Sequence, residues 1–532
     1  MIWWFICAIT VSLIIGIIAG NFISGKSFGR KLFLNSAGKV NVILDIINED
    51  YVDAVNMHDI TEGAIRNIIN ELDPHSAYIS TSELQGINED MDGHFGGIGI
   101  DYFVHEDTMV VANVFYGSPS SQAGILPGDR IIRINDSICT GMDITQEMVS
   151  KKLRGKVGST MKLTVQRNFS PELINYKIKR DNILMTTVKA AYQVEEGIGL
   201  IKIYDKFSQT TYNEFMQAIS QLKAQGCSSY ILDLRGNGGG SYEAAVQIIN
   251  EFLPEGRKIV TTEGKSFPQT ESIADGRGSF QNNPLVILID QLSASASEII
   301  AGAIQDNDRG LIIGRTSFGK GLVQNQIELS DGSAIRLTIA RYYTPSGRNI
   351  QRKYELGKSD LYNQEWINRL THGENFESNM PDETAAFQTL HGRTVYGNGG
   401  ITPDIFVPMN DAQLTSYYIH LDEKGIFRQF TLEYIDQNRA FLNTLKDNAA
   451  MLDYLKKQPL LREIVQFSEE NGIRKRTALI SRSANQILLT TYACILGNFF
   501  GENDFYEIYL SNDPDIARAV KMIRGGETTP KK

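Results

Sequence analysis

The stretch LVILIDQLSASASEIIAGA, residues 285–303, decides the fold of this chain. Its first five residues form an apolar run that predicts a buried strand, and the serine-rich segment after it predicts a turn into a helix. A serine at such a junction has its hydroxyl at the top of a sheet, where the next N–H can help to bind an oxyanion. Serine is also a preferred helix N-cap. The segment therefore predicts either a nucleophile or a simple cap, and spacing alone does not choose among Ser293, Ser295 and Ser297.

Upstream, a second strand-turn-helix has the sequence YILDLRGNGGGS, residues 230–241. Three consecutive glycines leave backbone N–H groups exposed at the start of a helix expected over 242–252, and such a site favours negative charge. A phosphate site and an oxyanion hole for acyl transfer are the two interpretations. No Lys-Ser or Lys-Thr pair follows, which excludes a Walker loop. With a strand expected at 197–203 and a helix at 210–224, strands and helices alternate, so the fold class is α/β.

A serine nucleophile needs a base, and the histidines can be counted. All seven lie outside residues 181–355, so a Ser-His-Asp triad would need a distant histidine to fold back. A lysine that loses its proton in an apolar, poorly solvated site is the alternative. The segment GRTSFGKGLVQ, residues 314–324, supplies Lys320 between glycines and apolar residues. Lys320 is the best candidate base, against the ordinary interpretation of a solvated loop lysine.

Residues 91–180 consist of short alternating segments separated by glycine turns, which predicts a small β-rich domain. Within it, GSPSSQAG at 117–124 precedes LPGDRIIRIN at 126–135, and this order resembles the PDZ domain family. The resemblance implies capture of a peptide by strand addition, with the free carboxylate of a chain end held by backbone N–H groups. Taken alone, a glycine loop is also consistent with a tight turn that leads into a strand. The residues expected to hold the carboxylate follow Gly96 and are Gly97, Ile98, Gly99 and Ile100.

Four motifs carry a wider resemblance: LDLRGNGGG, SASASEIIAGAIQD, GRTSFGKGLVQ and RYYTPSGRNIQ. In this order, and after a PDZ domain, they resemble the carboxyl-terminal processing peptidases, the tail-specific serine proteases, over residues 40–407. The resemblance implies an α/β core of the ClpP/crotonase-like type, with an inserted β-rich PDZ domain and helical N- and C-terminal regions. It also implies a serine-type endopeptidase that requires no metal, nucleotide or other cofactor.

The resemblance further assigns roles to individual residues, although the sequence does not separate two of the glycines. One departure from the family pattern is the long stretch 352–400, an insertion that could shape substrate access. The assignments are Ser295 as nucleophile, Lys320 as general base, Gln324 as the residue that orients the lysine, and the N–H groups of Ala296 and of Gly239 or Gly240 as oxyanion donors.

The N-terminal residues 2–23 carry no charge over a length that spans a bilayer. A cleaved signal peptide has a small residue three positions before the cut, yet the candidate cuts each place isoleucine there. We therefore expect a retained anchor in the cytoplasmic membrane. Lys26, Arg30 and Lys31 follow the apolar stretch, and the positive-inside rule by itself would put the body in the cytoplasm. The family resemblance implies the extracytoplasmic, periplasmic side, and that is the location we expect.

The sequence thus predicts five regions with distinct roles. The last of them has two apolar stripes, which indicate core packing or, as the resemblance implies, assembly of a homodimer or higher oligomer. The core region includes the insertion 352–400. The regions are a transmembrane anchor at 1–25, an N-terminal helical region at 30–90, a PDZ domain at 91–180, a peptidase core at 181–407 and a C-terminal helical region at 408–532.

Composition limits the partners. Lys plus Arg number 52 against 62 Asp plus Glu, and this net charge of −10 argues against general binding of nucleic acid. Four scattered cysteines lack the spacing of a metal site. The expected partners are protein or peptide substrates with free C-terminal tails, the membrane, and an adaptor or activator protein that the sequence leaves open. Two rival interpretations are a catalytically silent PDZ scaffold and a crotonase-like acyl-CoA enzyme, neither of which needs a Ser-Lys pair.

Overall fold

The computed structural model describes residues 36–105, 108–115, 117–141, 144–167, 172–372, 383–409 and 413–530. The chain divides into two compact units, one ending at Tyr78 and including Leu356–Ser359, the other made of Ile79–Glu355 and the chain from Asp360 onward. The anchor expected at 1–25 lies outside the described residues. Within the described ranges, no helix combines the length and apolarity that a bilayer crossing requires.

The first unit is mainly helical, as the sequence predicts for this region. Its helices are α1, Ser36–Asp50, and α2, Met57–Asn70, and strand β1, Ala77–Ile79, follows at the boundary with the second unit. The turn before β1 is built on Asp73, whose carboxylate accepts hydrogen bonds from the N–H and the hydroxyl of Ser76. This turn ends the helical pattern at the Asp-Pro step that the sequence indicates.

The second unit begins with helix α3, Thr81–Asp92, and strand β2, His94–Gly97, and continues into the PDZ domain. The PDZ sheet is antiparallel in the order β3-β4-β5-β7-β8, with β6 paired to β5. Strand β9, Asp181–Leu184, pairs with β2 and ties the exit of the domain to its entry. The PDZ elements are β3, Ile100–His105; β4, Thr108–Val114; α4, Pro119–Ala123; β5, Arg130–Ile134; β6, Ser137–Ile138; α5, Gln146–Leu153; β7, Thr160–Gln166; and β8, Leu173–Lys179.

The α/β core follows the PDZ domain and contains two larger sheets. In chain order its elements are β10, Val188–Glu195; β11, Ile198–Ile203; β12, Asp205–Phe207; α6, Thr211–Ala224; β13, Ser229–Asp233; β14, Asn237–Gly240; α7, Tyr242–Phe252; β15, Lys258–Glu263; β16, Thr270–Ile273; β17, Leu285–Ile289; α8, Ala296–Asp306; β18, Leu311–Gly314; β19, Leu322–Glu328; β20, Ala334–Tyr343; α9, Ser359–His372; β21, Ala386–Gln388; β22, Thr394–Tyr396; and β23, Ile405–Phe406.

The main sheet has the order β10-β11-β13-β17-β18-β23. Strand β10 is antiparallel to β11, and the other neighbours are parallel. Strand β17 has the sequence LVILI and is buried along its whole length, which is typical of a parallel strand covered on both faces. The parallel strands β13, β17 and β18 end at one edge of the sheet, where each runs into a loop. That edge carries the three motifs that the sequence analysis selects for chemistry.

The C-terminal region is helical, as the sequence predicts, but its last helix belongs to the core. Helices α6, α7 and α8 pack on one face of the main sheet. The opposite face is covered by α16, through Ile516, Ala519 and Met522. Both faces of an apolar sheet must be covered, so the end of the chain completes the core. The C-terminal helices are α10, Ser416–Glu423; α11, Ile426–Leu442; α12, Asn448–Lys456; α13, Leu460–Glu470; α14, Thr477–Phe500; α15, Glu502–Tyr509; and α16, Pro514–Arg524.

Candidate active site

The serine-rich turn lies between β17 and α8. Helix α8 begins at Ala296, directly after Ser295, whose backbone has φ +54° and ψ −110°. A positive φ is uncommon for a residue with a side chain and occurs at sharp strand-to-helix turns that present a nucleophile. Ser293 and Ser297 are buried, and their hydroxyls donate to Leu234 O at 2.9 Å and to Asn237 O at 3.0 Å. Ser295 is only partly buried, so it is the serine of this turn that the fold leaves open to a substrate.

Glu298 joins this turn to the lysine loop. Its side chain is fully buried, and one oxygen, Oε2, accepts hydrogen bonds from the Ser295 N–H at 2.8 Å and the Lys320 N–H at 2.9 Å. The other oxygen accepts from the Ser317 hydroxyl at 2.5 Å and the Gly319 N–H at 2.7 Å. Burial raises the pKa of Glu298, although the four donors oppose this shift. Sequence analysis gave Glu298 no role, and the signal it missed is the capping pattern of a serine followed three residues later by glutamate.

Lys320 lies on the loop between β18 and β19. Its ammonium nitrogen donates to Gln324 Oε1 at 2.9 Å, and Gln324 lies on β19. Two residues earlier, the Phe318 N–H donates to Ser293 O at 2.9 Å, so the loop is also fixed to the serine turn through the backbone. The structure therefore pairs Lys320 with Gln324 and ties their loop to the turn that carries Ser295.

The glycine-rich loop after β13 packs directly on the serine turn. Gly239 has φ +99°, and a Cβ atom there would lie 2.7 Å from Ser295 Cβ and 3.1 Å from Ala296 N. Only glycine fits this approach. The Gly239 N–H donates to Asn237 Oδ1 at 2.9 Å, whereas Gly240 pairs with Phe207 of β12. Of the two glycines that the sequence could not separate, Gly239 is the one whose N–H already forms a hydrogen bond within the loop.

Two further residues shape this site, and sequence analysis gave neither of them a role. Asn237 is fully buried, and its backbone oxygen also accepts a hydrogen bond from the Ala294 N–H at 3.0 Å. Tyr342 on β20 donates its hydroxyl to Ser295 O at 3.3 Å. Burial, with the charge of Glu298, raises the pKa of Tyr342 well above its usual range. No local pattern distinguishes Tyr342 from its neighbours, because its contact depends on how β20, which lies outside the main sheet, meets the serine turn.

The insertion at 352–400 supports the lysine loop. The Arg352 guanidinium lies 4.6 Å from the ring centre of Phe318 and 4.0 Å from that of Tyr362, which lies on α9. The Arg352 N–H donates to Gly319 O at 2.9 Å. Such stacking of a cation between aromatic faces is favourable when the group is shielded from water. The insertion therefore packs behind Lys320.

The glycine segment of the PDZ domain lines a cavity of about 1320 Å³. All four residues expected to hold a carboxylate reach this cavity, with Gly97 at the end of β2 and Ile100 at the start of β3. Strand β3 is an edge strand of the PDZ sheet. The Tyr102 hydroxyl reaches from β3 to Gln146 O on α5, at 3.2 Å. Further walls come from the segment after the domain, at 181–187, from the core at 204–206, and from the junction of α14 and α15 at 497–502.

Protein-family models match four parts of the chain. Peptidase family S41 matches residues 197–358, and the PDZ domain matches 96–178. The activating protease CtpB N-terminal domain matches 24–82. A family of unknown function, DUF8443, matches 417–501 in the C-terminal helices.

Relatives are found along most of the chain. The carboxy-terminal-processing protease of Bartonella bacilliformis is 35% identical over 314 residues, covering 58% of this chain and 71% of that protein. The carboxy-terminal processing protease CtpA of Bacillus subtilis is 34% identical over 316 residues, covering 59% and 66%. Among solved structures, the photosystem II D1 C-terminal processing protease is 24% identical, with coverage of 71% and 88% and a TM-score of 0.36. This chain belongs to the carboxyl-terminal processing peptidases, a family of serine-type peptidases with a PDZ domain.

Proposed function

We propose that this protein is a membrane-anchored serine endopeptidase that recognises the C-terminal tails of substrates through its PDZ domain and cleaves by a Ser295–Lys320 dyad. The observation that carries the dyad is the shared acceptor. The backbone nitrogens of Ser295 and Lys320 both donate to Glu298 Oε2, at 2.8 and 2.9 Å. One buried atom thus ties the backbone of the serine turn to the backbone of the lysine loop, which supports the proposed dyad.

The chemistry is acyl transfer to serine. Neutral Lys320 accepts the hydroxyl proton of Ser295 as the oxygen attacks the scissile carbonyl carbon. The C–N bond then breaks, and the lysine gives that proton to the leaving amine. A water molecule next loses a proton to Lys320 and attacks the ester carbonyl of the acyl-enzyme. This step releases the new carboxyl end and returns the proton to Ser295.

Backbone donors stabilise the negative oxygen of each tetrahedral intermediate. Ala296 is the first residue of α8, and the first N–H groups of a helix have no acceptor within it. The second donor comes from Gly239 or Gly240: Gly239 packs against Ser295 and Ala296 with its N–H engaged by Asn237, whereas Gly240 packs against Phe207. Donors fixed before the reaction need no reorganisation as charge develops, which is the main advantage of such a site.

Gln324 and Glu298 position the reacting groups. The Gln324 amide oxygen accepts a hydrogen bond from Lys320 Nζ at 2.9 Å and so limits the rotamers of the long lysine side chain. Glu298 fixes the two loops. Holding reacting groups at attack distance is worth several orders of magnitude in rate.

The PDZ domain holds the substrate. An extended chain end adds to the open edge of β3, and its carboxylate meets the backbone N–H groups of the segment 97–100. This role is supported by the family match and by the cavity that the segment lines. The rest of the substrate then passes to the core, whose largely parallel main sheet, covered by helices on both faces, we assign to the ClpP/crotonase-like class.

Residues 2–23 anchor the protein in the cytoplasmic membrane, with the catalytic body on the extracytoplasmic side. The length and apolarity of this stretch support the anchor. The location rests on the family resemblance. Substrates would then be membrane or periplasmic proteins with accessible C-terminal tails.

The test uses the full-length protein in detergent and an unstructured protein substrate with an apolar free C-terminus. Ser295→Ala and Lys320→Ala should each abolish cleavage, whereas the exposed controls Ser228→Ala and Lys265→Ala should not. Circular dichroism verifies that all variants fold. Cleavage by Ser295→Ala would refute the nucleophile. Binding of the tail without cleavage by the wild type would favour a silent PDZ scaffold instead.

A further inference from the structure

A cluster of largely buried charges adjoins the loops of the candidate active site. It lies where β13 and β18 end, at the first residues of the glycine loop and of the lysine loop. Its six side chains come from these strand ends, from β11 and from the start of the last helix, α16. They are the cations Lys202, Arg235 and Arg315 and the carboxylates Asp233, Asp513 and Asp515.

Arg235 begins the glycine-rich loop. Its Nε and Nη2 atoms donate to the two oxygens of Asp233 at 2.9 and 2.8 Å. The remaining nitrogen, Nη1, points to α16, where it donates to Asp513 Oδ2 at 2.8 Å and to Asp515 Oδ2 at 2.7 Å. The loop that carries the oxyanion glycines is therefore held from both sides, once by its own strand and once by the end of the chain.

Arg315 begins the lysine loop, directly after β18. Its Nη1 atom donates to Asp515 Oδ2 at 3.0 Å and to Asp515 Oδ1 at 3.2 Å. Its Nε atom donates to the side chain of Gln291 at 3.3 Å, at the start of the serine turn. One carboxylate, Asp515, thus bridges the first arginine of the glycine loop and the first arginine of the lysine loop.

Burial makes this bridge difficult to replace. Asp515 is 1% exposed, Arg235 9% and Arg315 8%. The cluster contains three positive and three negative side chains, so neutralising Asp515 leaves one buried positive charge in excess. An uncompensated buried charge is strongly unfavourable, and the two arginines would be expected to move toward water or toward other acceptors. Either movement would shift the loops that follow them.

We propose that Asp515 is a positioning residue for peptide hydrolysis, acting through Arg235 and Arg315 to hold the glycine loop and the lysine loop in register. The proposal rests on the function proposed above. It gives the last helix a second role besides covering the sheet. Its apolar face stabilises the fold, whereas its first turn aligns the catalytic loops.

The test separates these two roles with matched variants of the full-length protein. Asp515→Asn keeps the shape and removes the charge, and Met522→Ala weakens the packing of the same helix on the sheet without contacting either loop. Because small misplacements of reacting groups are costly, Asp515→Asn should lower kcat about 10- to 100-fold with KM unchanged. At a comparable loss of melting temperature, Met522→Ala should keep kcat within about twofold. Asp515→Glu, which restores the charge, should recover part of the lost kcat.

A second readout does not depend on turnover of a peptide. The rate at which a fluorophosphonate labels Ser295 should fall in Asp515→Asn in parallel with kcat. Equal kcat and equal labelling in Asp515→Asn and Met522→Ala would overturn the positioning role. A purely structural role would lower kcat and the labelling rate of both variants in proportion to their losses of melting temperature. Cleavage that persists in Ser295→Ala would instead refute the proposed function, so the two failures are distinguishable.

Discussion

The catalytic centre and the PDZ groove differ in how much freedom their surroundings leave. Around Ser295, the neighbouring backbone and the lysine loop are fixed by hydrogen bonds to two fully buried side chains, Glu298 and Asn237. The PDZ groove opens onto a cavity of about 1320 Å³ whose walls come from several parts of the chain. A rigid centre suits chemistry that is the same for every substrate, whereas an open groove suits tails of varied sequence. Changes at the centre should therefore alter kcat, and changes in the groove should alter KM.

Among changes that leave Ser295 and Lys320 in place, the largest effect should follow from Glu298→Gln. Glutamine has the same shape, but it offers one acceptor oxygen to four donors and turns an NH₂ group toward some of them. We expect kcat to fall about 10²- to 10³-fold, the range seen when a preorganised donor is lost. The fall should be the same on tailed peptides, which carry a C-terminal tail for the PDZ domain, and on untailed peptides, which lack one. The control is Glu243→Gln, an exposed glutamate in the first turn of α7, beside the glycine loop. A fall in kcat limited to tailed peptides would break the distinction between the two regions.

The next effect concerns the contact between the glycine loop and the serine turn. Gly239→Ala combines a positive φ with a Cβ atom 2.7 Å from Ser295 Cβ. Displacement of the turn should reduce kcat about 10- to 100-fold. Gly238→Ala is the matched control, because its nearest neighbour would be Asp205 O at 3.7 Å. Steady-state kinetics on one untailed peptide suffice, and equal rates for the two variants would contradict the role of this contact.

A change in the groove should affect recognition alone. Gly99→Ala would place a Cβ atom 2.3 Å from Ser118 Cβ. It would so distort the segment 97–100, which we expect to bind the substrate carboxylate. We expect KM for a tailed substrate to rise about tenfold or more, because part of the binding energy is lost, with kcat on an untailed peptide unchanged. Gly117→Ala has a similar positive φ but meets no atom within 4 Å, so it controls for backbone strain. A drop in kcat for the untailed peptide would show that the groove and the centre are coupled.

The smallest effect should come from Tyr342→Phe. This variant removes one hydrogen bond, from the tyrosine hydroxyl to Ser295 O, and leaves the ring in place. A single hydrogen bond contributes about 0.5–1.5 kcal/mol, so kcat should fall about two- to tenfold. Tyr343→Phe, at the neighbouring and less buried position, provides the control. A larger loss would mean that the hydroxyl takes part in the chemistry itself.

Local patterns were sufficient to predict much of the core. The helix expected over 242–252 is α7, Tyr242–Phe252, and the apolar run at 285 forms β17. The family resemblance, not a local pattern, implies that Gln324 orients Lys320, and the two side chains form a hydrogen bond. Alternation of strands and helices fixes which loops share an edge of a parallel sheet, so motifs far apart in sequence could be placed at one site.

Contacts between distant segments could not be predicted in the same way. The capping pattern marks Glu298 as a helix-end residue, but its bonds to Ser317, Gly319 and Lys320 depend on the path of the next loop. Likewise, the apolar face of α16 indicates packing without saying on what, and the helix covers the second face of the main sheet. The roles of the site residues, the anchor and its orientation stay predictions.

The most direct test of the account is to find which serine reacts. The wild-type protein is treated with a fluorophosphonate until hydrolysis stops, and the modified residue is located by peptide mass spectrometry. We predict one adduct, on Ser295, and little or no adduct in Lys320→Ala, whose serine lacks its base. An adduct on Ser293 or Ser297, or full hydrolysis by protein already modified at Ser295, would contradict it.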